Sequence, residues 1–237
     1  MKSSLIIIYI LSVGFLHTNS TIARIAIPRH ASVSKPSNQA QTECYHQPPP
    51  VFRSECPAQG NAKSTRVQQL NILKNRINVP LSNDFDHSIT MSALLKNGDD
   101  RNRWSVQRAA KFIAYVADVK PGGIETANCK SKNQDDRDTH IELSLQPMSY
   151  EKNQRVIVEI TPHMRRIMAA KGVNWSTSSI RNNYAGRWVE VQGWMLFDIE
   201  HLNMAEHTNP GNTKNWRATA WEIHPVTSIT IVATHPR

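Results

Sequence analysis

The order of the predicted secondary-structure elements constrains the fold of this chain more than any single motif. Five strand-like segments occupy residues 110–120, 138–146, 155–161, 186–197 and 216–224;. Between the third and the fourth, the segment PHMRRIMAAKG has proline in its first turn and glycine at its end, which predicts a helix;. Strand, strand, strand, helix, strand, strand is the order of the OB-fold, a five-stranded Greek-key barrel. An α+β sandwich with the same elements is the alternative.

Two residues in the last strands agree with a small closed barrel. Gly193 lies inside the fourth predicted strand, where a small barrel needs a bulge or a tight bend;. Pro225 ends the fifth alternating segment, and it lacks the amide hydrogen that a ladder requires, so it fits only an edge or a bulge;. The segment VTSITIV is predicted to continue the fifth strand beyond that bend. We therefore predict a mainly β protein with an OB-like barrel over residues 106–237.

The first residues have the pattern of a secretory signal peptide. Lys2 precedes an apolar run over residues 5–16, and small and polar residues follow it;. This predicts a signal peptide over residues 1–23, cleaved near Ser20 or Ala23. Twelve apolar residues are too few to span a bilayer, so no transmembrane anchor is expected after processing;. The expected location is secreted or periplasmic.

Two further segments precede the predicted barrel. Residues 24–63 are rich in Pro, Ser and Gln and have no helical or strand period, which indicates a flexible arm;. Residues 64–105 form a predicted N-terminal extension with one amphipathic helix packed on the body of the fold. The apolar residues at helical spacing are Val67, Leu70, Ile72, Leu73 and Ile77, and Pro80 ends the run;.

Three cysteines are present, and disulfides are permitted in an exported protein. Cys44 and Cys56 could close a small Pro-rich loop, which would leave Cys129 free or paired elsewhere. Because the number is odd, the sequence does not determine the pairing.

The net charge is +9 at pH 7, and the sequence pI is about 9.7. A basic surface attracts polyanions such as nucleic acid or acidic glycans. The charges are scattered, however, and no run of five consecutive Lys or Arg occurs, which is also typical of an ordinary basic soluble protein;. The sequence contains none of the common motifs of serine hydrolases, zinc proteases or nucleotide-binding loops.

Carboxylates stand beside imidazoles in three places. They are Asp138/His140/Glu142, Asp198/Glu200/His201 and Glu222/His224. Strand alternation places His140, Glu142, Glu222 and His224 on outer faces of the barrel. Imidazole and carboxylate are the usual ligands of zinc and similar ions, and the same pairing can orient a general base. Alternatively, the histidines only hydrogen-bond to neighbouring carboxylates and hold the strand ends in place.

These patterns define three sets of candidate residues. The catalytic candidates are His140, Glu142, Glu222 and His224. The candidate metal ligands, for zinc or manganese, are His140, His201, Glu222 and His224. The candidate ligand contacts are His140, Glu142, Arg155, Trp188 and Arg217, since outward tryptophans can stack on bases or sugar rings;. Alternatively, Trp188 and Trp194 are covered by the N-terminal helix.

Five phrases of the sequence carry a resemblance to other proteins. They are LNILKNR (70–76), VADVKPGGIETANCKS (116–131), DRDTHIEL (136–143), GRWVEVQGWMLFDIEH (186–201) and WRATAWEIHPVTSI (216–229). In these phrases the chain resembles a group of exported bacterial proteins with OB-like cores. The resemblance implies the fold and the export, but it implies no activity.

The sequence thus predicts a non-enzymatic, exported OB-like binding module with a basic surface. Its expected ligand is nucleic acid, a glycan or an envelope protein, and no cofactor is expected. The alternative is a metal-dependent hydrolase, similar to a nuclease or a phosphoesterase, that uses a His/carboxylate cluster at the barrel rim.

Overall fold

The computed structural model of this chain describes residues 56–147 and 151–233. The predicted signal peptide over residues 1–23 and most of the predicted arm lie outside these ranges. None of the helices within the described ranges combines the length and the apolar character that a membrane crossing requires.

Five strands form a closed barrel. They are β1 (Ala109–Pro121), β2 (Thr139–Ser144), β3 (Val156–Ile160), β4 (Trp188–Phe197) and β5 (Trp221–Ile231). Their spatial order is β1, β2, β3, β5, β4, which matches the Greek-key connectivity of an OB-like barrel;. Strands β3 and β5 run parallel, and the other neighbours are antiparallel. The predicted fold class is confirmed, and the sandwich alternative is wrong.

Four α-helices accompany the barrel in the described ranges. They are α1 (Thr65–Lys74), α2 (Met91–Leu94), α3 (Pro162–Ala170) and α4 (Thr177–Tyr184). Helix α3 begins as predicted, because Pro162 occupies its first turn and the Thr161 hydroxyl accepts a hydrogen bond from the Met164 amide;. Helix α4 was not predicted from the sequence. It buries only Ile180, so its apolar pattern is too sparse to show a helical period;.

Every second residue of the strands fills the barrel interior, as the alternation predicts. The fully buried residues of this set include Ile141, Leu143, Val158, Ile160, Val189, Val191 and Ile223. The intervening residues of β2, β3 and β5 therefore point to the outside of the barrel.

Strand β5 passes through Pro225 at a bulge. The register between β4 and β5 shifts at Gly193, which pairs with Val226, and the His224–Pro225 peptide bond is cis. A Cβ atom on Gly193 would lie 2.2 Å from the Pro225 carbonyl oxygen and 2.5 Å from a methyl group of Ile223. Only glycine allows this close approach of the two strands. The proline is thus accommodated as the sequence predicts.

Helix α1 packs part of the predicted apolar face, together with polar residues that the pattern does not predict to be buried. Asn71 and Lys74 are buried together with Leu70, whereas Ile72 is 48% exposed. The side-chain NH2 groups of Asn71 and Asn75 donate hydrogen bonds of 2.9–3.1 Å to residues 58–59 and 126–127. Specific polar partners therefore help to determine how the helix docks, alongside Leu70 of the predicted stripe.

A disulfide joins Cys56 to Cys129 in the loop between β1 and β2. Cys56 is therefore not paired with Cys44, which lies outside the described residues. The Asn61 amide also donates a 3.0 Å hydrogen bond to the Thr126 carbonyl in this loop. The end of the predicted arm, residues 56–63, is thus tied to the barrel rather than flexible.

Candidate functional site

The outer face of β2, β3 and β5 carries a layer of polar side chains. The layer consists of His140, Glu142, Glu159, Glu222 and His224, which we call the polar layer. None of these residues is more than 7% exposed. Helix α1, the β1–β2 loop (residues 122–138) and the β4–β5 loop (residues 198–220) cover the layer. It is therefore buried, and it does not lie at an open rim as predicted from the sequence.

Strands β2 and β3 bring His140 opposite Glu159 in the antiparallel register;. The two side chains are hydrogen-bonded, with 2.7 Å between His140 Nδ1 and Glu159 Oε1. Burial alone would raise the pKa of Glu159, but the hydrogen bond with His140 and the charge of His224 lower it to about 2;. Glu159 is therefore held as a carboxylate.

Glu142 is held by two cations on the same face. Its carboxylate accepts a hydrogen bond from Lys120 and another, of 3.1 Å, from the Arg155 guanidinium. Each of its two carboxylate oxygens therefore has a cationic partner.

Strand β5 places Glu222 beside His224. His224 Nδ1 lies 3.0 Å from Glu222 Oε1, and Arg217 donates a 2.7 Å hydrogen bond to the other Glu222 oxygen. Burial alone would lower the pKa of His224, but the hydrogen bond with Glu222 and the charges of Glu159 and Asp138 raise it to about 9;. The parallel pairing of β3 with β5 brings His224 beside Glu159.

Asp138, immediately before β2, completes a group of three. Its Oδ2 accepts a 2.9 Å hydrogen bond from Asn128 and lies 3.8 Å from His224 Nε2. Burial raises the pKa of Asp138 to about 7. One potential ligand atom each from Asp138, Glu159 and His224 lies within 4.8 Å of the other two. Carboxylate oxygens and imidazole nitrogens together suit zinc and similar divalent ions.

A second charged cluster joins helix α1 to the loops. Lys74 is 1% exposed, and its ammonium group lies 2.7 Å from Glu125 and 3.8 Å from Asp198. Burial alone would lower the pKa of Lys74, but the carboxylates of Asp198 and Glu125 raise it well above its usual value. Burial alone would raise the pKa of Asp198, but Lys74 and the hydrogen bond with His201 lower it far below its usual range.

A cleft of about 250 Å³ lies above the polar layer, between the β1–β2 and β4–β5 loops. The charged and aromatic residues that line it are Lys120, Glu125, Glu159, Asp198, Trp216 and Arg217, together with His140 and His201. The Trp216 ring lies 5.5 Å from the rings of both His140 and His201. The cleft thus combines one aromatic wall with carboxylates and cations.

The structure brings all four catalytic candidates, His140, Glu142, Glu222 and His224, into one layer. Of the candidate metal ligands, only His224 belongs to the group of three. His140 and Glu222 are hydrogen-bonded to members of that group. His201 is instead hydrogen-bonded to Asp198, with 2.5 Å between His201 Nδ1 and Asp198 Oδ2.

The candidate ligand contacts are divided between two places. Arg155 and Arg217 join the polar layer, as ion-pair partners of its glutamates. Trp188 instead packs edge-on against Tyr115, with 5.6 Å between the ring centroids.

Trp194 is covered by the segment that follows α1. This agrees with the predicted alternative that the N-terminal extension covers the outward tryptophans. Its indole donates a 2.7 Å hydrogen bond to the Asn78 carbonyl, and the Arg76 guanidinium lies 5.1 Å from the ring centroid.

Sequence reasoning missed Lys74, Glu159 and Trp216. Glu159 had a detectable signal, since it occupies an outward position of a clean strand pattern beside Val158. The sequence pattern predicts Trp216 at the start of a strand, but the structure places it in the loop before β5. Lys74 had no signal other than its helical spacing from Asn71.

The chain matches no protein-family model, no curated protein and no solved structure. The function must therefore be inferred from the side chains of the site.

Proposed function

We propose that this chain is an exported OB-like binding module whose cleft holds one ring of a neutral saccharide. The observation that carries the proposal is that Trp216 lines the same cleft as the carboxylates of Glu159 and Asp198. A sugar ring packs its C–H face on an aromatic ring, while its hydroxyl groups donate hydrogen bonds to carboxylates. This combination of contacts is what the cleft offers.

The position of the cleft on the barrel supports the same ligand class. OB-folds bind oligosaccharides and oligonucleotides across strands 2 and 3 and the loops between strands 1 and 2 and strands 4 and 5. Here the cleft lies between those two loops, above β2 and β3. This support is only an analogy between folds. The side chains of the cleft must therefore distinguish an oligosaccharide from an oligonucleotide as the ligand.

Charge favours the saccharide over a polyanion. The cleft is lined by three carboxylates, Glu125, Glu159 and Asp198, and by two cations, Lys120 and Arg217. It therefore has none of the positive excess that phosphate groups need, although the whole chain carries a net charge of +9;. A polyanion would have to bind elsewhere on the surface.

The size of the cleft limits the ligand. Its volume of about 250 Å³ is slightly below the range of about 300–1,000 Å³ that is typical of small-molecule pockets. A single sugar ring with its neighbours extending into solvent suits this volume.

The disulfide supports export. Structural disulfides persist in oxidising compartments, and Cys56–Cys129 is such a bond, consistent with the signal peptide that the sequence predicts;. Outside the cytoplasm, the glycans of cell surfaces are accessible ligands.

The test is isothermal titration calorimetry with a panel of neutral oligosaccharides, including chito-oligosaccharides, and with oligothymidylate as the polyanion. We expect saccharide binding that changes little between about 50 and 200 mM salt, because no phosphate counterions are released. Trp216→Ala should weaken binding at least about tenfold, as expected when a stacked ring is lost. Trp188→Ala is the matched control, since Trp188 packs on Tyr115, and it should bind like the wild type.

Two results would contradict the proposal. One is binding of oligothymidylate with a steep salt dependence and no binding of any saccharide. The other is saccharide binding that Trp216→Ala leaves unchanged.

A further inference from the structure

Asp138, Glu159 and His224 reach one point from three separate segments of the chain. Asp138 precedes β2, Glu159 is on β3 and His224 is on β5, and one potential ligand atom of each lies within 4.8 Å of the others. We propose that these three residues bind one divalent cation of the zinc or manganese class beneath the cleft. This proposal goes beyond saccharide binding and does not depend on it.

In each of the three side chains, one polar atom is hydrogen-bonded to a neighbouring side chain and the other polar atom is not. The held atoms are Asp138 Oδ2 by Asn128 (2.9 Å), Glu159 Oε1 by His140 (2.7 Å) and His224 Nδ1 by Glu222 (3.0 Å). The remaining atoms, Asp138 Oδ1, Glu159 Oε2 and His224 Nε2, are buried without a hydrogen-bond partner among the described residues. Buried polar atoms in native proteins nearly always have a partner, so three such atoms in one group point to a bound ligand.

The partners of these side chains have the arrangement that orients metal ligands. A histidine that binds a metal usually donates its other ring N–H to a carboxylate, which fixes the ring and its tautomer. Glu222 stands in that position for His224, and Arg217 in turn holds Glu222 with a 2.7 Å hydrogen bond. His140 orients Glu159 in a similar way, because it is hydrogen-bonded to Glu159 Oε1 and leaves Oε2 available for the metal.

Charge and donor type select the cation. With His224 in the neutral form that a metal ligand requires, the two carboxylates would carry two negative charges, and the three residues are 2%, 6% and 0% exposed;. Buried charges of one sign are unfavourable unless a counter-charge compensates them, and a divalent cation does so. One nitrogen and two oxygen donors suit zinc or manganese better than magnesium, which prefers oxygen ligands and retains several waters.

The proposed ion would lie next to the cleft, because Glu159 belongs to both. Three protein ligands leave a coordination position for water or for an atom of a bound molecule. The hydrolase alternative of the sequence analysis would require this open position.

The experiment is a zinc titration of the chelator-treated protein, followed by calorimetry, with manganese as a second cation. A Cys44→Ser background prevents that thiol from binding zinc. We expect one zinc ion per chain and an unfolding temperature that rises with zinc concentration. Glu159→Gln and Asp138→Asn keep the side-chain shapes, and each should weaken the affinity at least about tenfold.

The control is Glu190→Gln, a carboxylate paired with Lys111 on the barrel surface, which should bind zinc like the wild type. Near-ultraviolet circular dichroism checks the fold of each variant. Visible absorption of bound cobalt gives a second readout, since its intensity distinguishes a four-coordinate site from a six-coordinate one.

The proposal is overturned if no ion binds at a one-to-one ratio, in which case the three residues are a buried imidazolium–carboxylate cluster. It is also overturned if zinc binds equally well to Glu159→Gln and Asp138→Asn. Either failure leaves the saccharide proposal standing, because that test depends on Trp216.

Discussion

Replacing Lys74 by methionine should destabilise the protein strongly. Methionine preserves the length and the apolar part of the side chain, but it removes the ammonium group that lies 2.7 Å from Glu125 and 3.8 Å from Asp198. Lys74 is 1% exposed, so water cannot replace the lost contacts. Two partly or fully buried carboxylates would then lose their main counter-charge.

The expected magnitude follows from the exposure of the partners. Removing one member of a buried ion pair typically costs about 3–5 kcal/mol. The Glu125 side chain is 21% exposed, and Asp198 keeps its hydrogen bond with His201, so part of the penalty is relieved. We therefore expect a loss near the lower end, about 3 kcal/mol in the free energy of unfolding.

Urea denaturation of Lys74→Met, Glu125→Gln and the double variant measures this energy. The double variant should be less destabilised than the sum of the singles by about 1–3 kcal/mol, because Glu125→Gln removes the unpaired charge. Lys111→Met is the matched control, since Lys111 is 45% exposed and pairs with Glu190 at 3.1 Å. It should cost less than about 1 kcal/mol. Equal losses for Lys74→Met and Lys111→Met would refute the reasoning.

Three further predictions concern stability. Gly193→Ala should lower the free energy of unfolding, measured by chemical denaturation, by about 3 kcal/mol or more, because the added Cβ would lie 2.2 Å from the Pro225 carbonyl oxygen. A loss below about 1 kcal/mol would contradict the bulge geometry. Burial lowers the pKa of His163 to about 4 from its usual 6.5, so the unfolded chain binds the proton first as the pH falls. The unfolding free energy of the wild type relative to His163→Gln should therefore decrease by about 3 kcal/mol between pH 7 and pH 4, and a constant difference would exclude this. Peptide mapping should find the Cys56–Cys129 link, and its reduction should cost about 4 kcal/mol, because the bond closes a loop of 73 residues in sequence separation;. A Cys44–Cys56 link would be evidence against it.

The barrel was predictable because its strands alternate strictly. Ile141 and Leu143 face inward and alternate with His140 and Glu142, and one glycine and one proline mark the bulge. These features are local, so a single sequence displays them. Helix α4 escaped because TSSIRNNY buries only Ile180, which leaves no apolar period to detect.

The outward position of the polar residues was also predictable, but their burial was not. The cover comes from α1 and two loops, which have no period that could reveal what they touch. In α1 the apolar Ile72 is half exposed, whereas Asn71 and Lys74 are buried, so the apolar spacing alone does not predict which residues of the helix are buried.

The convergence of Asp138, Glu159 and His224 could not be read from the sequence. His224 is 65 residues beyond Glu159 in the numbering, and the two meet only because β3 and β5 pair in parallel at Val158 and Ile223. Single-sequence patterns identify strands, but the pairing of non-consecutive strands depends on the whole barrel.

The most direct measurement of the central claim is a crystal structure of the protein grown with zinc, recorded on both sides of the zinc absorption edge. An anomalous peak about 2.0–2.2 Å from the side chains of Asp138, Glu159 and His224 is the predicted result. A structure with these three side chains bonded only to one another, and with the zinc signal elsewhere or absent, would contradict the claim that they form a cation site.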